Sequence, residues 1–171
     1  MKRLTAMTIT LLLTTLVSSC GFKLRGSQAL PHDINQVAVQ AAPHSLMARA
    51  LNKRLPVYDL QSSPATATPD ANTVLISLAP ESLDRRLLSV FSTGQVAEYE
   101  LIYSVRYTVW FPNKEPFEHQ FEVAREYQDD PDRVLAKSRE LNIVLDEMRA
   151  DAADRIIRLL SNQATIAYAN E

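Results

Sequence analysis

The sequence is short of the residues that most often build catalytic and metal centres. Its 171 residues include one cysteine, three histidines and three glycines. There is no glycine-rich phosphate-binding loop and no serine in a nucleophile-elbow motif. His32, His44 and His119 are far apart, and none has a second ligand at metal-binding spacing. We therefore expect no catalytic residue, no metal and no cofactor.

The sequence also lacks an apolar run long enough to cross a bilayer, which takes ~20 residues. Its first segment has two basic residues, Lys2 and Arg3, followed by an uncharged apolar stretch over residues 4–17. This layout is typical of a secretory signal. We predict that residues 1–19 are cleaved.

The single cysteine lies at the predicted cleavage site, where residues 17–20 (VSSC) resemble the bacterial lipobox. Lipidation of Cys20 is the simplest use for it, because a lone thiol cannot form an intramolecular disulfide. The alternative is an ordinary secretory signal with an incidental cysteine. In lipoproteins that this segment resembles, Asp after the cysteine favours the inner membrane, so Gly21 predicts the outer membrane, with the domain facing the periplasm.

The mature chain would have 152 residues, enough for a single domain. We place that domain at 20–163, followed by a short C-terminal tail at 164–171. Loss of Lys2 and Arg3 leaves 16 basic and 20 acidic residues, a formal charge of −4. This balance does not support binding to nucleic acid.

Alternation of apolar and polar residues is clearest over residues 97–109 and 117–127, with turn-forming residues at 112–116. The pattern predicts a long antiparallel hairpin with one buried face. Acidic residues at 129–132 are typical of a helix start. An apolar stripe then predicts one helix over 132–160, ~43 Å long at ~1.5 Å per residue.

Shorter elements precede this hairpin. Apolar runs predict strands over 34–39, 73–79 and 83–91, helical spacing begins after 43–45, and 61–72 is predicted to be a loop. We therefore expect an α+β fold: a two-layer sandwich in which a mixed, mostly antiparallel sheet of four to five strands packs against two helices, the C-terminal one long. The sheet's second face should be polar.

One basic grouping bears on function. Arg133 and Lys137 lie four residues apart near the start of the last helix, where backbone N–H groups favour anions, and Arg125 precedes them on a strand. Alternatively, Lys137 pairs with Glu140 or Asp130 in an ordinary solvated face. The residues alone leave both interpretations open.

Three segments resemble a known family: 20–25 (CGFKLR), 90–99 (VFSTGQVAEY) and 130–137 (DPDRVLAK). In sequence, order and spacing they are similar to the LptE lipopolysaccharide-assembly lipoproteins of Gram-negative bacteria. The resemblance extends over nearly the whole chain.

This resemblance implies a non-enzymatic role: family members plug the large β-barrel LptD, assist its assembly and bind lipopolysaccharide. It also implies that Lys137 is a lipopolysaccharide contact, suited to lipid A phosphates. A companion position that is basic in related proteins is Ser92 here, so Arg85 or Arg86 would have to supply the second cation. Arg133 completes the candidate set.

Two other functions are compatible with the sequence. A periplasmic adaptor for another envelope protein or for peptidoglycan would share the anchor without binding lipopolysaccharide. A hydrolase is a third possibility, although the sequence has no evident nucleophile and base pair.

Overall fold

The computed structural model describes residues 30, 34–65 and 70–168. The predicted signal peptide, Cys20 and the segment 20–25 lie outside this range, as does His32. Within it, no helix has both the length and the apolar character needed to cross a membrane.

Six strands and two helices make up the described domain. In chain order they are β1 (Gln36–Gln40), α1 (Leu46–Arg54), β2 (Gln61–Ser63), β3 (Thr73–Leu78), β4 (Ser82–Val90), β5 (Val96–Trp110), β6 (Phe117–Gln128) and α2 (Val134–Tyr168). Short 3-10 turns follow α1 at Leu55–Tyr58 and precede α2 at Pro131–Arg133.

The long strand β5 organises the sheet. β6 pairs along one edge of β5, while β4 and β3 pair with successive parts of the other edge, all antiparallel. β1 lies between β3 and β2 and is parallel to both. The prediction of an α+β fold with a mixed, mostly antiparallel sheet and two helices is confirmed. The sequence predicted a loop over residues 61–72, but residues 61–63 form β2. These polar residues show no strand pattern, because they form a strand only through backbone pairing with β1.

The two faces of β5 differ in burial as the sequence predicted. The face covered by the helices is buried and carries Leu101, Tyr103, Val105, Tyr107 and Val109. The opposite face is less buried and carries Ile102, Ser104, Arg106 and Thr108. Period-two alternation therefore separates a core face from a mainly polar one.

α2 packs on the core with a stripe of residues four apart. Met148, Ala152, Ile156, Leu160 and Ala164 each have an exposed fraction of 0%. The predicted end of this helix at residue 160 was wrong, because no glycine or proline stops it and the stripe continues through small residues. Residues 164–168, assigned to a tail by the sequence prediction, are its last turns.

α1 is fixed at both ends. The Ser45 hydroxyl accepts a hydrogen bond from the Ala48 N–H at 3.1 Å and caps its start. Near its end, Arg54 donates two hydrogen bonds of 2.7 Å to the carboxylate of Asp154 on α2. This bidentate ion pair joins the two helices.

The helices do not cover the whole sheet. None of the nine residues of β4 is buried, and eight of them are exposed. Among the described strands, only β5 pairs with β4. The outer edge of β4 is therefore open.

Candidate functional site

A groove of about 520 Å³ opens between the β4–β5 hairpin and the first turns of α2, and we call it the hairpin groove. The Phe91 N–H donates a hydrogen bond to the Gln95 carbonyl, and the Gly94 N–H donates one to the Phe91 carbonyl, which closes the hairpin turn. Gly94 adopts a φ of 83° there. Glycine accepts this left-handed conformation without strain. The lining residues are Arg85, Gly94, Gln95, Val96, Tyr99, Tyr127, Asp129, Asp130, Pro131, Val134, Lys137, Ser138 and Leu141.

Arg85 provides a cation from the sheet side of the groove. It pairs with Leu101 of β5, so its side chain lies on the sheet face that the helices pack against. Leu83 and Leu87 lie on the same face of β4, two residues before and after it. Arg85 makes no hydrogen bond or ion pair within the described part of the chain. Its guanidinium is therefore available to an anionic ligand.

Lys137 provides a cation from the helix side. Its Nζ lies 3.0 and 2.9 Å from the two carboxylate oxygens of Glu140 and 5.1 Å from the centroid of the Tyr127 ring. The Tyr127 hydroxyl donates a 2.7 Å hydrogen bond to the Lys137 carbonyl. The side chain is only 17% exposed. The Glu140 carboxylate raises the pKa of Lys137, so the amine is charged at neutral pH.

The pairing of Lys137 with Glu140 is thus present, as the sequence allowed. This ion pair does not prevent an anion from binding to Lys137, because the Glu140 side chain is 53% exposed and such surface pairs are weak. Asp130, the other predicted partner, instead caps the turn before α2 by accepting from the Asp132 N–H at 3.1 Å. An anion entering the groove has to displace one exposed carboxylate.

Arg133 and Arg86 do not line the hairpin groove. Arg133 lines a neighbouring cavity of about 260 Å³ that also contains Lys137. Arg86 lies on the opposite face of the sheet and pairs with Glu100. Adjacent residues of a strand point to opposite faces, so of the two arginines only Arg85 can act with Lys137.

Ser92 and Arg125 lie apart from these cations. Ser92 is exposed in the hairpin turn and does not line the groove. Arg125 forms an ion pair with Asp151 further along α2. The structure therefore brings together Arg85 and Lys137, with Arg133 adjacent.

Sequence reasoning missed two features of the groove. One is Tyr127, which supports Lys137 through its ring and hydroxyl. The other is an exposed apolar rim, with Leu87 54% exposed on the strand and Val134 and Leu135 64% and 80% exposed on the helix. Leucines at alternate positions around Arg85 were the available signal, but the pattern alone does not reveal that no helix covers them.

The described residues contain no group of three metal-binding side chains. His119 packs in an aromatic cluster, with its ring centroid 5.7 Å from that of Tyr107 and 6.4 Å from that of Phe121. The arrangement offers two cations and apolar surface, which suits the binding of an amphipathic anion.

Similarity to known proteins is consistent with this chemistry. The LptE family, described as lipopolysaccharide-assembly, matches residues 34–160. The LPS-assembly lipoprotein LptE of Yersinia pestis (strain Pestoides F) is 30% identical over 156 residues, covering 90% of this chain and 74% of that protein. Its counterpart from Pectobacterium atrosepticum is 28% identical over 155 residues, covering 90% and 83%.

Solved structures agree in fold. The rare lipoprotein B from Shewanella oneidensis superposes with a TM-score of 0.65 at 36% identity, covering 75% of this chain and 96% of that chain. An uncharacterized lipoprotein B from Nitrosomonas europaea has a TM-score of 0.67 at 21% identity, covering 88% and 97%, and this likeness concerns the fold alone. Together, the family match and these relatives establish that the chain belongs to the LptE lipopolysaccharide-assembly family.

Proposed function

We propose that the chain is the lipoprotein component of an outer-membrane lipopolysaccharide translocon. In this proposal it is anchored through lipidated Cys20 at the periplasmic face of the outer membrane, plugs the β-barrel LptD and aids its assembly, and binds lipopolysaccharide for delivery to the cell surface. It acts by binding, not by catalysis. Membership of the LptE family supports the proposal.

The observation that carries the binding role is that Arg85 of β4 and Lys137 of α2 line the same hairpin groove. Lipid A presents phosphate groups, and hydrogen bonds from Arg or Lys to phosphate are charge-assisted and stronger than neutral ones. Asp129 and Asp130 also line the groove, so an anion has to lie close to the two cations. A phosphate at Lys137 would replace the Glu140 carboxylate.

Charge-neutralising variants test this role. We expect Arg85→Gln and Lys137→Gln each to weaken lipopolysaccharide binding about tenfold, as loss of a charge-assisted hydrogen bond predicts, and to make it less sensitive to salt. Arg86→Gln is the matched control, because it removes the same charge from the opposite face. Binding is measured on the unacylated mature chain, residues 20–171. Equal affinities for all three variants and the parent chain would contradict the proposal.

The role as a barrel plug is supported by the sheet face that the helices leave uncovered. It carries polar side chains on β5 and β6, including Ser104, Arg106, Gln120 and Glu122. The lumen of a large outer-membrane barrel is polar, so a plug needs such a surface. Co-purification identifies the partner that covers this face.

Extraction of the native lipoprotein with mild detergent distinguishes the plug from the adaptor. Tight co-purification with a large β-barrel is the expected result. Recovery alone, or with a cell-wall complex, favours the adaptor. Incorporation of labelled palmitate, abolished by Cys20→Ala, tests the anchor separately.

A further inference from the structure

We propose that exposed apolar residues of β4 form a seat for acyl chains beside the hairpin groove, so that this site selects acylated anions over anionic saccharides. The seat consists of Leu83 and Leu87, and we call it the β4 ledge. The inference rests on the proposed lipopolysaccharide binding and adds which part of the ligand the strand contacts.

The ledge is an unusual concentration of exposed apolar side chains. Leu83 and Leu87 are 36% and 54% exposed, and Leu88, Val90 and Phe91 further along the chain are 46%, 54% and 45% exposed. The pairing of β4 with β5 becomes irregular between Leu87 and Ser89. A concentration of exposed apolar side chains on one strand is typical of a binding surface.

The ledge is continuous with the cationic groove. Leu83 and Leu87 flank Arg85 on one face of the strand, each about 7 Å from it along the chain direction. Lys137 of α2 lines the same groove as Arg85. A ligand that pairs with Arg85 therefore has apolar surface on both sides of its phosphate. An anionic headgroup with attached acyl chains has this distribution of charge and apolar surface.

A second copy of the chain fits the open edge poorly. Antiparallel pairing of β4 with itself, centred on its middle residue, places Arg86 opposite Arg86. Like charges directly opposite one another destabilise a strand pair. Charged residues and irregular pairing at an open edge are also typical devices against edge-to-edge association. A lipid needs no register with the strand and avoids these penalties.

The experiment measures the affinity of the unacylated mature chain for intact and for fully deacylated lipopolysaccharide. This chain contains all the described core residues, which lie within residues 30–168. The test variant is Leu83→Ser with Leu87→Ser. Its matched control is Val57→Ser, a substitution of an apolar residue that is 61% exposed and lies outside the ledge. Both leucines are at least 36% exposed, so we expect the fold to persist, with an unchanged midpoint of urea unfolding as the check.

We expect the double variant to bind intact lipopolysaccharide about 25-fold more weakly, since each partly exposed leucine contributes about fivefold. It should bind deacylated lipopolysaccharide as the parent chain does. Val57→Ser should change neither affinity. Arg85→Gln should weaken the binding of both ligands, because it acts on the phosphate. Lipopolysaccharide carrying a photoreactive acyl chain should label β4, and this readout needs no variant.

The outcomes separate the two proposals. If the parent chain does not bind intact lipopolysaccharide, the proposed function fails. If it binds intact and deacylated ligand equally well, or if the leucine variant binds like the parent, the function stands and the acyl seat is overturned. The seat is likewise overturned if the variant binds normally but loses the barrel partner or a concentration-dependent self-association, since the ledge is then a protein interface.

Discussion

Replacing Tyr168 by alanine should destabilise the domain by about 2–3 kcal/mol, although the sequence places this residue in a tail. The ring is partly buried against Phe111, with centroids 6.3 Å apart and planes at 83°. Its hydroxyl donates a 3.3 Å hydrogen bond to the Pro112 carbonyl. Burying about 100 Å² of a tyrosine contributes about 2.5 kcal/mol, and an edge-on aromatic contact adds about 1 kcal/mol. The net value is smaller, because a compact unfolded chain already buries part of this surface.

The assay is urea unfolding of the unacylated mature chain at neutral pH. Ile166→Ala is the matched control, because Ile166 lies on the same helical turn but is 65% exposed, and it should change the free energy of unfolding by at most about 0.5 kcal/mol. Tyr168→Phe should retain most of the stability, losing about 1 kcal/mol with the hydrogen bond. If Tyr168→Ala is no more destabilising than Ile166→Ala, the last turns of α2 do not belong to the core.

Three further predictions concern the rest of the domain. Ser45→Ala should cost about 1 kcal/mol by removing the cap of α1, whereas Ser45→Gly should cost only a few tenths; urea unfolding compares them. A double-mutant cycle with Arg54→Ala and Asp154→Ala should give a coupling of about 1 kcal/mol that falls with added salt, and zero coupling would contradict the interhelical ion pair. Burial raises the pKa of Tyr103, aided by its hydrogen bond to a neighbouring carboxylate, and burial also raises the pKa of Tyr107. Because the unfolded chain ionises these phenols first, stability should fall as pH rises above about 10 toward their folded pKa values; a single ultraviolet titration near pH 10 for all tyrosines would contradict this.

Local pattern determined how much of the fold was predictable. The β5–β6 hairpin followed from strict alternation over two long stretches, since period two specifies a half-buried strand. β2 did not, because Gln61–Ser63 is polar and short and exists only through pairing with β1. The end of α2 was missed because Ala164 has too small a side chain to extend an apolar stripe visibly, although it is fully buried.

The candidate site was predictable to a smaller extent. Helical spacing identified Lys137 and its pairing with Glu140, both local features. The choice between Arg85 and Arg86 depends on strand register and on which sheet face the helices cover, and neither can be read from neighbouring residues. The exposure of Leu87 depends on how far α2 extends across the sheet, which is a property of tertiary packing.

Lipopolysaccharide binding in the hairpin groove is the proposal on which the others depend. Site-specific photocrosslinking in cells tests it most directly, with the photoreactive residue at Ser138 in the groove or at Gln120 on the uncovered sheet face. We expect the probe at Ser138 to capture lipopolysaccharide and the probe at Gln120 to capture a large β-barrel protein. A Ser138 probe that captures only protein, or a Gln120 probe that captures lipopolysaccharide equally well, would contradict the proposal.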